Sequence, residues 1–166
     1  TGIGDYEVGL YAPNGLSGLV VLAEGEKDAD TLCRMGFNGA SSPNGTYKWK
    51  DRYTEQIKDA DRIVLLNDED YIGIASSQKV QYILKEAGYQ TKRISPFDIL
   101  DAGVVGYDIS DVVNDYGFEE TKLQLQYLIE QDEGWNVLWN EEVNSDSTET
   151  VEVEVVQESG LGEEYD

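Results

Sequence analysis

Two acidic clusters stand where apolar runs end. In GLVVLAEGEKDADTL, Glu24 and Gly25 follow the first run, and in RIVLLNDEDYIG, Asp68 and Asp70 follow the second. Carboxylates held close together repel one another unless a divalent cation lies between them, and a small set of hard oxygen donors suits Mg2+ or Mn2+. In an extended segment, residues two apart face the same way, so Asp68 and Asp70 are expected to point together with Glu69 turned aside. The same letters have other uses: an N-cap for the helix after Gly73, an ordinary acidic loop, or the opening of an EF-hand. The EF-hand fails, because its twelfth position falls on Lys79 where a bidentate Glu is required. Glu26 competes with Glu24, but it lies on the helix side of Gly25, while Glu24 occupies the strand end.

The apolar runs predict the elements that position these acids. Strands are expected at 19–23, 37–42, 63–66 and 91–95, with a short lead-in strand at 6–11. Helices are expected from Glu26 to a stop near Gly36, over 50–58, over 74–87 with Val80, Ile83, Leu84 and Ala87 as one apolar stripe, and over 118–130 through Phe118, Leu125, Leu128 and Ile129. Strands alternating with helices imply an α/β fold with a mostly parallel sheet of about four strands flanked by helices. Ligands in such sheets gather outside the carboxyl ends of the strands, which brings both acidic clusters to one edge. The chain divides into a lead-in (1–17), the α/β domain (18–115), a packing helix with an extension (116–139) and an acidic tail (140–166). The tail offers little apolar material beyond Val151, Val153, Val155 and Val156, and is expected to be loosely ordered or to add an edge strand.

Composition closes several routes. With no His, the chain has no Ser-His or Cys-His nucleophile pair, no His-ligated zinc and no imidazole acid-base chemistry. The single cysteine, Cys33, builds no disulfide framework and is expected to be a buried core thiol. No apolar stretch approaches the ~20 residues of a membrane span and no signal peptide is visible, so no membrane partner and a cytoplasmic location are expected. The start at Thr1 suggests a piece cut from a longer protein. The net charge of -22 opposes a direct grip on nucleic acid, since affinity for phosphates comes largely from Lys and Arg. That charge is uneven: all twelve basic residues lie at or before Lys122, leaving -9 up to that point and -13 beyond it. No GxxxxGK[ST] and no GxGxxG is present, so a nucleotide phosphate would be held through a metal instead of a glycine loop.

Over roughly 18–115 the pattern resembles the TOPRIM domain shared by DnaG-type primases, type IA and type II topoisomerases, OLD-family nucleases and RecR proteins. Its marks are Glu-Gly after the first strand (Glu24-Gly25) and Asp-x-Asp with a Gly three positions on (Asp68, Asp70, Gly73). The EGE-K-DA opening from Glu24 to Ala29, the loop Ser42-Pro43-Asn44-Gly45 and the downstream Trp49 are similar to primases and primase-helicases of phages and mobile elements. The resemblance implies a Rossmann-like TOPRIM fold holding one or two Mg2+ or Mn2+ ions on Glu24, Asp68 and Asp70, with Glu24 as acid-base or ligand. It adds Asp28, whose bare reading is a favourable charge at a helix N-terminus, and Asp108 with Asp111 as a third acidic element. Gly25 would allow a sharp turn beside the substrate. From the residues themselves, Lys27, Lys48 and Lys50, with Trp49 between the last two, would contact nucleotide or nucleic acid, the other reading being solvated lysines and a core tryptophan. The implied activity is primer synthesis by metal-assisted nucleotidyl transfer in phage or mobile-element replication. Its partners would be nucleoside triphosphates, a single-stranded DNA template and a replicative helicase or helicase domain. A TOPRIM nuclease and a non-catalytic RecR-like interaction module are the alternatives.

Overall fold

In the computed structural model, which describes residues 9–43, 48–100 and 105–135, the apolar runs pair into one parallel sheet. β1 (Gly18–Ala23) lies inside it, with β2 (Asn38–Ser41) on one side and β3 (Ala60–Leu66) on the other, and β4 (Gln90–Ile94) pairs outside β3. The register runs Val20 to Asn38 through Ala23 to Ser41 across the first pair, and Leu19 to Arg62 through Leu22 to Leu65 across the second. The four strands, in the order β2-β1-β3-β4, are all parallel, as the α/β pattern predicts. Of the lead-in strand, only its end is described, where Tyr11 makes an isolated antiparallel bridge to Ser41. The tail at 140–166 lies outside the described residues.

Six helices are described: α1 (Glu26–Arg34), α2 (Asp51–Gln56), α3 (Tyr71–Glu86), α4 (Pro96–Ile99), α5 (Ile109–Tyr116) and α6 (Phe118–Glu130). Alternation along the strands sorts the core into two layers. Val21, Ala23, Val64 and Leu66 pack on one face with residues of α1, α5 and α6. Val20, Leu22, Ile63 and Leu65 pack on the other with Ile57 and with Val80 and Leu84 of α3. The buried face of α3 is made by Gly73, Ser76, Ser77, Val80 and Leu84, while Ala87 is exposed, so the stripe sits nearer the N-terminus than the apolar pattern implied. Cys33 is half-buried, not sealed in the core, with Sγ 3.5 Å from the Gly39 carbonyl. The short α4 follows from local chemistry: Pro96 opens it and the Asp98 carboxylate accepts the Ser95 N–H at 2.9 Å.

Candidate metal centre

From β1 the chain crosses to β2 on one side, and it returns to build β3 on the other. The carboxyl ends of β1 and β3 therefore flank a topological switch point, where an open α/β sheet leaves a crevice. Glu24 leaves β1 at this point and the segment 67–70 leaves β3. They are joined directly, because the Asp68 N–H donates to Glu24 Oε2 at 2.8 Å. Gly73 is essential to the approach. A Cβ there would lie within 3.0 Å of Glu24 Oε2, the Asp68 carbonyl oxygen and Asp70 Oδ1, so three oxygens converge on a place that only glycine leaves open.

The segment through Asp68 and Asp70 does not run extended as expected. The Asp70 N–H donates to the Asp68 carbonyl at 2.9 Å, so the backbone turns instead of running extended. Asp70 then serves as the N-cap of α3, its Oδ1 accepting the Gly73 N–H at 2.5 Å. Glu69 has its own work. Its N–H donates to the Tyr107 carbonyl at 2.8 Å, its carbonyl accepts from Gly106 at 2.7 Å, and its carboxylate accepts the Phe97 N–H at 3.2 Å.

The third side of the crevice comes from α1 and α5. Asp28 is 6% exposed, in the first turn of α1, and accepts the Ser110 hydroxyl at 2.8 Å. Asp108 caps α5 in a reciprocal box with Asp111, and Lys27 Nζ stands 3.4 Å from its Oδ2. Burial, followed by the charges of Glu24, Asp28, Asp108 and Asp70, pushes the Asp68 carboxyl up to about 8. Burial also raises Glu24, against the Asp68 N–H that holds it down, and raises Asp28 against its bond from Ser110. The donor set therefore fits a hard divalent cation: an all-oxygen crevice whose negative charge is under-compensated. Among the described residues no three acidic or sulfur groups already stand around one point at ligand spacing.

The resemblance-based roles of several residues meet a different geometry. Gly25 has φ -145° and ψ 169°, an extended backbone that any residue adopts, and a Cβ there would meet open space. No sharp turn depends on it. Trp49 is half-buried against the core, edge-to-face with Tyr53 at 5.4 Å, and its indole N–H donates to Thr54 Oγ1 at 2.8 Å. The Thr54 carbonyl in turn accepts the hydroxyl of Tyr89, which immediately precedes β4. Trp49 is thus tied toward the amino edge of the sheet, away from the acids, with Lys48 and Lys50 exposed on either side. Of the proposed basic contacts, Lys27 reaches the acidic edge, through Asp108. The sequence reading missed Ser110, eighty-two positions from the Asp28 it contacts, and Arg93, at the end of β4, which lines a cavity of about 220 Å3 with Asn67, Glu69, Ile74, Ser95 and Asp98. A larger cavity of about 320 Å3 lies between β4 and α6, lined by Lys92, Asp98, Tyr127 and Leu128 among others.

No family model and no curated protein matches the sequence. Solved structures do. The zinc-binding and RNA polymerase domains of the Aquifex aeolicus primase align at a TM-score of 0.55 and 20% identity, covering 66% of this chain and 26% of that one. A primase domain of bacteriophage T7 gp4, bound to an RNA/DNA hybrid, aligns at 0.52 and 19% identity over 67% of this chain and 55% of that one. A DnaG primase catalytic domain bound to single-stranded DNA aligns at 0.51 and 16% identity, covering 69% of this chain and 36% of that one. The fold is similar to that of DnaG-type primase domains. This chain spans between 26% and 55% of the length of those three. No helix among the described residues is long and apolar enough to cross a membrane.

Proposed function

We propose that this chain is the metal-binding TOPRIM module of a DNA primase, part of a longer protein that joins ribonucleotides on a single-stranded DNA template. The observation that carries this reading is the meeting of Glu24 and the 68–70 turn at the switch point of a primase-like fold, with Gly73 leaving their oxygens room. Glu24, Asp68 and Asp70 would hold Mg2+ or Mn2+, with Asp28 and Asp108 as further negative charge behind them. A cation held there would supply neutralisation of phosphate charge and orientation of a nucleoside triphosphate as a 3'-hydroxyl attacks its α-phosphate and pyrophosphate leaves.

The protein's own groups prepare that chemistry. Asp68, its carboxyl pushed up to about 8, holds a proton into the neutral range and would give it up on binding a cation. Glu24, with Oε2 held by the Asp68 N–H, has its other oxygen available for one of two roles, ligand to the cation or acceptor of the proton of the attacking hydroxyl. The Ser110 bond to Asp28 and the Lys27 pair with Asp108 orient the outer carboxylates. Template and helicase partners belong to the longer protein, since a net charge of -22 leaves this chain poorly suited to grip a strand alone. The solved neighbours that hold single-stranded DNA or an RNA/DNA hybrid support that assignment by analogy.

Calorimetric titration with Mn2+ tests the site. The wild-type chain should bind the ion, and the double variant Asp68→Asn/Asp70→Asn should lose at least about a hundredfold in affinity while remaining folded. Undiminished Mn2+ binding in that variant would remove the assignment.

A further inference from the structure

At the carboxyl ends of β3 and β4 the chain forms a cavity of about 220 Å3, far above the ~15 Å3 that admits a single water, and the proposed metal chemistry makes no use of it. Asn67, Glu69, Ile74, Arg93, Ser95 and Asp98 line it. Arg93 is half-buried and fixed in place, because its Nε donates to Gln81 Oε1 at 3.1 Å and the Gln81 amide in turn donates to the buried Thr91 hydroxyl at 3.0 Å. Its two terminal nitrogens make no hydrogen bond or ion pair among the described residues. The two carboxylates are each half-engaged: Glu69 accepts the Phe97 N–H on Oε1, and Asp98 accepts the Ser95 N–H and hydroxyl on Oδ2. One oxygen of each is left over. Asn67 is fully engaged, holding the Asp68 carbonyl at 2.8 Å and accepting the Ser77 hydroxyl at 3.3 Å, and Ile74 supplies an apolar wall.

A simple anion would meet two carboxylates in this cavity, and a simple cation would meet the guanidinium. The set matches a ligand with paired acceptors beside paired donors. We propose that the cavity receives the guanine base of a nucleotide, with the Arg93 fork on O6 and N7 and the free oxygens of Glu69 and Asp98 on N1–H and the 2-amino group. Bidentate donation from arginine to O6 and N7 is the commonest specific contact by which a side chain reads guanine, and carboxylates accept from the exocyclic amines of bases. Adenine lacks the paired acceptors, and cytosine lacks the second donor group. This inference rests on the nucleotidyl-transfer reading of the acidic edge and extends it from the phosphates to the base. Glu69 joins the two places, since it is the residue between Asp68 and Asp70 and its Cα lies about 3.8 Å from each of theirs. A nucleotide is longer than that step, so its base and its phosphates can occupy both at once.

The test uses the full 166-residue chain with Mn2+ and the probes GTP, ATP, CTP and inorganic tripolyphosphate, which lacks a base. Calorimetry should show GTP binding about tenfold more tightly than ATP or CTP, the scale of one bidentate base contact. Arg93→Gln should abolish that preference and leave ATP, CTP and tripolyphosphate unchanged. Arg93→Lys, which keeps the charge but not the fork, should abolish it as well. Equal affinity for GTP and ATP in the wild type, a GTP preference that survives both substitutions, or equal weakening of all the probes overturns the base site. In that case loss of every probe in Asp68→Asn/Asp70→Asn would leave the acidic-edge reading standing. Failure of the wild-type chain to bind any of the probes with Mn2+ would overturn both.

Discussion

At the outer edge of the sheet, Lys92 is 6% exposed, and its ammonium donates to the carbonyls of Leu128 and Gln131 at the end of α6. Trp135 sits nearby, 5.8 Å from that ammonium and 4.7 Å from the guanidinium of Arg62, with its indole N–H on the Ile129 carbonyl. At the crevice between β1 and β3, Glu24, Asp28 and Asp68 are buried or half-buried among other carboxylates, and the one ion pair among the described residues there is between Lys27 and Asp108. Both places remove charge from water. In the first, burial lowers the Lys92 pKa, opposed by Glu133 and Asp132, and the chain supplies acceptors and a ring. In the second, burial and like charge act in the same direction and the chain leaves the excess standing. A charge that the fold completes is structural; a cluster that it leaves uncompleted marks a candidate functional site.

Breaking the first arrangement should cost most. Lys92→Met keeps the aliphatic stem but removes the donors from the α6 C-terminus, and should lower stability by about 2–3 kcal/mol in a urea titration, since a bond to a charged group is worth more than a neutral one. Gly73→Ala strikes the second by geometry. The Asp68 carbonyl 2.8 Å from the new Cβ is backbone and cannot swing away, so a loss of about 2 kcal/mol and of Mn2+ affinity is expected.

Asp68→Asn works in the opposite direction. Because its folded-state pKa of about 8 lies above the ordinary 3.8, the protonated form contributes stability that is complete below about pH 4 and lost as pH rises through about 8. The metal-free wild type should therefore weaken over that window, and its Mn2+ affinity should climb across it. The variant should flatten the stability slope and gain about 1–2 kcal/mol near pH 8, a figure discounted because the carboxyl is partly solvated. Melting curves across that pH range measure it. The smallest effect belongs to Gly25→Ala: with extended backbone and open space, it should change stability by less than about 0.5 kcal/mol, which the same urea titration would read.

The comparison also separates what the sequence could tell from what it could not. Continuous Val/Ile/Leu runs report burial on both faces, so β1 and β3 and the acids that end them were legible, and with them the side of the sheet on which Glu24 and Asp68 meet. Strand ends, however, do not announce their turns. The hydrogen bond between Asp70 and Asp68 breaks the period of two, and one of the two aspartates becomes a helix cap. Trp49 carried two readings, and only its packing against Tyr53 and its bond to Thr54 separate them. Ser110 and Lys92 had no local signal at all, because each acts on a partner far along the chain: Asp28, eighty-two positions away, and Leu128, thirty-six away.

Those separations bear on the order of events in time. Glu24 meets Asp68 across forty-four positions, and Asp28 meets Ser110 across eighty-two. Loop closure over such spans is slow compared with forming a single helix, and a growing chain cannot close them until the later partner has been made. During synthesis the strand carrying Glu24 precedes its partners, and the wall supplied by α5 arrives last of the crevice's sides. A nascent chain therefore holds its acids apart, in water, until most of the fold exists, and the crowding of like charges becomes one of the last steps of maturation.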